Sequence, residues 1–157
     1  MLKNKRGEGY IQICVLVIVL CMIMSVFVTF AGTVNVVRLT ERNTKTVLEA
    51  YVTKNSIEIY NSIKQSTNET ESIDADEYIS DLAKFCTFVK SGNYYYHKDA
   101  NRRTEYYISK PRIGFTENER LRLYVSYTLY VPIYFNNIRI GTARIPATVK
   151  INLDERF

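Results

Sequence analysis

The sequence predicts an α+β fold: a long N-terminal helix with a transmembrane half and an amphipathic outer half, a second short helix, and an antiparallel sheet of four or five strands. Three observations point there. From Ile11 to Ala31 only Gln12, Ser25 and Thr29 are polar and none is charged. Between Gly32 and Gln65 apolar residues return at helical spacing, and from Leu121 to Ile133 they occupy every second position.

About 20 apolar residues at ~1.5 Å rise match a hydrocarbon layer of ~30 Å, so the opening helix is expected to cross a membrane. Lys3, Lys5 and Arg6 stand before the span. The bias of cations toward the cytoplasm then places the N-terminus inside and everything after Gly32 outside. Arg38 and Arg42 lie on the far flank with Glu41 among polar residues. A cleaved secretory signal is the competing reading, but its apolar core runs to about 7–15 residues and ends at a small-x-small site. Phe30-Ala31-Gly32 does not supply one.

Beyond Gly32 neither Pro nor Gly occurs before Gln65. Leu48, Val52, Ile59 and Ile63 fall near one face with Val37 and Tyr51 close by, while Thr40, Asn43, Thr44, Lys45, Asn55 and Lys64 supply a polar face. This pattern predicts that the membrane helix continues outward as one helix of about 55 residues, ~80 Å long. A break near Gly32–Asn35 is the alternative, because Gly and Asn are poor helix formers.

Gln65 to Ser72, QSTNETES, reads as a loop, and its Asn68-Glu69-Thr70 sequon as chance. Asp74 followed by Glu77 is a capping-box pattern, with Ile73 and Tyr78 at the staple positions. A second helix is expected there, with Ile79, Leu82, Cys86 and Val89 as its apolar stripe and Gly92 as its stop.

The period then changes to two. NYYYHK and TEYYISK suit strands separated by the turn Asp99 to Arg103, and Arg112 to Phe115 adds a short strand after Pro111. Leu121, Leu123, Val125, Tyr127, Leu129, Val131 and Ile133 mark the core face of a long strand. A two-residue turn at Asn136-Asn137 pairs Phe135 with Ile138 and Ile133 with Ile140. The return strand breaks phase, since Ile138 and Ile140 are even-numbered whereas Ala143, Ile145, Ala147, Val149, Ile151 and Leu153 are odd. A β-bulge at Gly141 restores it and sets Leu129 opposite Ile145 and Val125 opposite Val149. Pro146 lacks a ladder donor, so the last strand is expected at an edge or with that position turned outward.

The resulting organisation is a short basic segment 1–7, a transmembrane helix 8–31, a helical extension 32–66 and an external α+β domain 67–157 ending in a bulged hairpin, 121–153. The outer half of the first helix is the available cover for one face of the sheet.

Composition excludes several function classes. The formal charge is +5, but without Lys3, Lys5 and Arg6 the rest holds 18 basic against 16 acidic residues, +2. No nucleic-acid partner is expected on that balance, and Arg102-Arg103 reads as a solvated loop. Cys14 and Cys21 lie in the span, leaving Cys86 as the lone external thiol, and it reads as a small buried hydrophobe. His97 is the only histidine. With no GxSxG, HExxH or phosphate-binding glycine loop, neither an enzyme, a cofactor nor a metal is expected. Asp74, Asp76 and Glu77 lack calcium-loop spacing, and helix capping accounts for the first and last.

Of 13 tyrosines, Tyr124, Tyr130 and Tyr134 are singled out as a candidate contact surface, because the alternation puts them opposite the core face. Sheet propensity explains tyrosine richness equally well.

The order of these parts, and Lys5-Arg6-Gly7-Glu8-Gly9-Tyr10-Ile11-Gln12, resembles the type IV pilin superfamily and most closely the TadE-like pseudopilins of tight-adherence systems. The resemblance implies cleavage by a prepilin peptidase between Gly7 and Glu8, a mature chain beginning at Glu8, and an assembly role for Glu8 and the fifth residue, Gln12. That fifth residue is commonly acidic in the family, so an uncharged Gln12 implies a minor or priming subunit. A cut after Gly9 would put Cys14 fifth and fits less well. The partners implied are the membrane, the peptidase and other pilin-like subunits. Implied too is a location in the cytoplasmic membrane, then in a pilus or secretion filament. A single-pass anchored surface domain for ligand binding or sensing is the rival from another class.

Overall fold

Helical backbone begins at Arg6 in the computed structural model, which describes residues 6–64, 74–118, 120–135 and 138–153. The expectations for residues 1–5, for the loop and sequon at 65–72, for Ile73 and for the Asn136-Asn137 turn lie outside the described residues. So do those for the side chains of Glu8, Ile63 and Leu121. The chain divides into two compact units, Met1–Asn35 and Val36–Phe157.

The first unit is the leading part of helix α1 (Arg6–Lys54). Its backbone is helical through Gly32–Asn35, where the alternative reading had placed a break. The hydroxyls of Thr29 and Thr33 donate to the carbonyls of Ser25 and Thr29, at 2.9 and 3.0 Å. Bonding back to the preceding turn satisfies a hydroxyl without water, which lets Thr29 stand in an apolar run.

The second unit holds the remainder of α1 and then α2 (Ser56–Lys64), so the expected single helix is interrupted at Asn55. The interruption is slight, because Asn55 N–H still donates to the Tyr51 carbonyl and Ile59 N–H to that of Asn55, each at 3.0 Å. Asn competes with helical hydrogen bonding and marks the weak point.

Leu48, Tyr51, Val52 and Ile59 of the predicted apolar stripe are buried, and Val47 is buried beside them. Thr40 and Thr44, read as part of the polar face, are each only 1% exposed. The correction has a physical reason. The Thr44 hydroxyl donates to the Tyr127 hydroxyl at 3.2 Å, and Thr40 hydrogen-bonds the Tyr106 side chain, so both pair with phenols rising from the sheet. Asn43 similarly hydrogen-bonds Cys86. A buried hydroxyl costs little once it is paired.

Helix α3 (Ala75–Phe85) starts where the capping residue requires it, with Asp74 Oδ1 accepting from the N–H groups of Asp76 and Glu77 at 2.9 and 3.1 Å. The reciprocal half of the capping box is absent. Glu77 instead meets Lys54 at 2.6 Å, and the Asp74 N–H donates to the Tyr51 hydroxyl at 3.0 Å. Tyr78, Ile79, Leu82 and Cys86 are buried. The helix ends before the expected stop at Gly92, because Val89, expected on its apolar stripe, enters a strand and is exposed.

Six strands follow: β1 (Val89–Ser91), β2 (Tyr94–Lys98), β3 (Thr104–Ser109), β4 (Arg112–Asn118), β5 (Arg120–Phe135) and β6 (Ile138–Asn152). They form one antiparallel sheet, in which β1 pairs with β2, β2 with β3, and both β3 and β4 with one edge of β5, whose other edge carries β6. Tyr107 faces Tyr130 and Ile108 faces Leu129, but Arg112 faces Ser126, one residue out of that register. β3 and β4 thus act as one long strand with a kink at Lys110-Pro111. At the kink the Thr128 N–H donates to Ser109 Oγ at 2.9 Å instead of to a carbonyl.

Along β5 and β6 the expected register holds, with Leu129 opposite Ile145 and Val125 opposite Val149. The bulge lies one residue earlier than predicted. Ile133 faces Gly141, and Ile140 is the extra residue, 66% exposed. Odd positions 123 to 131 of β5 are buried and contact one layer of helices, which forms the core with Leu48, Ile59, Tyr78 and Leu82. Burial pushes the phenols of Tyr106 and Tyr127 up to about 12, against the opposing pull of their hydrogen bonds with Thr40 and Thr44. The Cys86 thiol rises to about 11 by burial, opposed by its bond from Asn43, which keeps it protonated and unreactive near neutrality.

Candidate functional site

Two surfaces stand outside the helix–sheet core. The first is the apolar helix. From Gly9 to Val28 every residue is exposed, and Gly9–Lys54 is long and apolar enough to cross a membrane, with a mean hydropathy of 3.1 in its most apolar window. Tyr10, Ile11, Leu16, Met22, Phe27 and Phe30 are each more than half exposed. Leaving such a surface in water is costly, because each buried CH₂ is worth about 0.8 kcal/mol. Gly7 and Glu8 lie in the helical backbone at its start, and Gln12 lies one turn beyond Glu8, exposed.

The second surface is the sheet face turned away from the helices. Alternation places Tyr94 and Tyr96 of β2, Tyr107 of β3 and Tyr130 of β5 there. Their rings form a row across the strands. Tyr96 stacks on Tyr107 at 4.9 Å between centroids and Tyr107 on Tyr130 at 4.8 Å, nearly parallel at 5°. Tyr94 sets its edge against Tyr107 and Tyr130 at 5.6 and 5.8 Å. The Arg144 guanidinium lies 5.9 Å from the Tyr130 centroid and closes the row on β6.

Of the three tyrosines singled out from the alternation, Tyr130 sits in this row, half-buried. Tyr124 lies over Gly114, its cross-strand partner, so close that a Cβ added to Gly114 would come within 2.9 Å of the phenol oxygen. Tyr134 is 41% exposed, with its hydroxyl 3.4 Å from the Thr104 carbonyl. The three therefore share a face, but the stack links only Tyr130 to tyrosines of other strands. Tyr94, Tyr96 and Tyr107 belong to the general tyrosine richness of the sequence and are not singled out by it, and Arg144 was missed. Their signal lay in strand phase, yet it becomes legible only once β3 is known to pair with β5.

His97 is half-buried, stacked on Tyr106 at 4.9 Å with Nδ1 2.9 Å from the Cys86 carbonyl and Nε2 3.6 Å from Glu105. These contacts tie β2 to the end of α3. Asp74 caps α3, Asp76 lies 3.4 Å from Lys110 and Glu77 meets Lys54, so the three carboxylates diverge. Among the described residues no three His, Cys, Asp or Glu side chains converge on a point. Comparison with protein-family models, with curated proteins and with solved structures gave no match.

Proposed function

We propose that the protein is a pilin-like structural subunit, TadE-like and of the minor type, of a tight-adherence or related filament or secretion assembly. The single observation that carries this reading is the uncharged helical surface from Gly9 to Val28, exposed throughout, directly after Arg6-Gly7-Glu8. Such a helix is stable in lipid and equally stable against sister helices, so transfer between the two changes little apolar burial. The basic residues Lys3, Lys5 and Arg6 hold the N-terminus on the cytoplasmic side and the second unit faces outward. A peptidase cuts between Gly7 and Glu8, and other pilin-like subunits then receive the helix. Gln12 offers an amide, not a carboxylate, to a neighbour's new amine, which suits a subunit that starts or caps a filament.

The test is the mass of the N-terminus of protein recovered from the native host, together with cross-linking. Cys14 and Cys21 are exposed on the helix while Cys86 is buried. Mild oxidation of intact fibres is expected to join subunits through the first two only. A retained Met1–Gly7 segment and no co-purification with fibres would instead identify an anchored surface domain.

A further inference from the structure

The tyrosine face is basic as well as aromatic. Arg112, Arg122, Arg139, Arg144 and Lys150 all fall in its phase, opposite Ser126, Asn152, Tyr134, Tyr130 and Tyr124. No Asp or Glu occurs between Arg120 and Leu153. The near-neutral balance of the whole chain therefore conceals a basic pair of strands, β5 and β6, and such a region attracts negative charge.

A cleft of about 610 Å³ opens in this face where β3 and β4 part from β5. Tyr94, Ser109, Arg112, Ser126, Thr128 and Pro146 line it. Its origin is the kink: Pro111 has no N–H to offer, and Ser109 Oγ takes the Thr128 N–H in place of a backbone carbonyl. The Lys110 ammonium turns aside to Asp76 at 3.4 Å, so the cleft draws its charge from Arg112. Arg112 is exposed and has no ion pair among the described residues.

The size lies in the ordinary range for small-ligand sites, about 300–1,000 Å³. Among the lining residues are three with hydroxyl side chains, the phenol of Tyr94, the guanidinium of Arg112 and the apolar ring of Pro146. Hydroxyls that both donate and accept match a polyhydroxylated ligand, the guanidinium fork matches a carboxylate in two parallel hydrogen bonds, and proline and tyrosine offer apolar walls to C–H faces.

We propose that this cleft binds a carboxylated sugar unit of an acidic polysaccharide, with Arg112 holding the carboxylate and Ser126 and Thr128 the ring hydroxyls. Arg144, two residues from Pro146 along β6, serves the next unit of the polymer. The site stands whether or not the first unit's helix assembles with sister helices.

Full-length protein in a neutral detergent is titrated calorimetrically with oligogalacturonate, with a neutral oligosaccharide, with inorganic polyphosphate and with a single-stranded oligonucleotide of matched charge. Saturable binding of oligogalacturonate is expected, weakened about tenfold or more by Arg112→Gln, since a charge-assisted pair is lost. Thr128→Val should weaken it severalfold with no change in charge, and the neutral sugar should not bind. Near-UV circular dichroism confirms that each variant keeps its tyrosine packing. Equal or tighter binding of polyphosphate or the oligonucleotide, indifference to both substitutions, or no binding of oligogalacturonate overturns the proposal.

Discussion

The Thr44 hydroxyl donates to the Tyr127 hydroxyl at 3.2 Å across the seam between α1 and β5, with Thr44 1% and Tyr127 5% exposed. The two ends of this bond are not equivalent. Removing the threonine leaves a phenol buried without its donor, whereas removing the phenol leaves a helical threonine that can bond the carbonyl of Thr40, as Thr40 does with Val36 at 2.8 Å. Thr44→Val is expected to cost about 1–3 kcal/mol and Tyr127→Phe less, with the double variant close to Tyr127→Phe. Denaturant titration of the four proteins checks the order, and equal single costs would contradict it.

Gly114 has no room for a side chain while Tyr124 stays where it is, since its phenol oxygen and ring carbon Cζ would lie 2.9 and 3.0 Å from a new Cβ. The obstacle is the far end of a side chain that can swing, so Gly114→Ala should cost about 1 kcal/mol and Gly114→Val about 2–3. Tyr124→Ser placed behind either substitution should recover most of the loss. Failure of that rescue would mean the backbone, not the ring, sets the limit.

Asp74 holds the first turn of α3 through two N–H groups at 2.9 and 3.1 Å. Asp74→Ala is expected to cost about 1 kcal/mol and Asp74→Ser much less, measured by thermal melting. Glu77→Gln should have a smaller effect that added salt erases, because its Lys54 partner is exposed on the surface.

Alkali should destabilise the second unit. Burial raises Cys86 from 9.0 to about 11 and Tyr106 and Tyr127 from 10.0 to about 12. The native state keeps protons that the unfolded chain releases, so stability is whole below pH 9 and falls as pH rises from there to 12. Denaturation midpoints measured from pH 8 to 12 should decline over that window, and Tyr127→Phe should flatten the decline. A midpoint constant to pH 12 would contradict the burial of these groups.

Much of this was legible in the residues themselves. Leu123, Val125, Tyr127, Leu129 and Val131 announce their face by a strict period of two, which is a local property, and the even-to-odd change of phase after Ile140 announces a bulge to within one residue. Asp74 announces a helix start because its chemistry acts over three residues. Thr40 and Thr44 were misread because polarity alone says nothing about a phenol that arrives from 83 residues away, as Tyr127 does at Thr44. The row Tyr96, Tyr107, Tyr130 and Arg144 was hidden for the same reason: β3 meets β5 by a non-local pairing that no short window contains. The apolar helix was the clearest feature, since a membrane-length uncharged run needs no tertiary context.

Among the described residues strand β6 has a neighbouring strand on one side only. Thr128 directs its N–H toward Ser109, on the side of β5 away from β6, so the facing residue Pro146 turns its own nitrogen toward the open rim. A foreign strand laid along that rim would find a tooth missing from the zipper at mid-length. Copies of this chain are thereby discouraged from fusing edge to edge into amyloid-like ribbons.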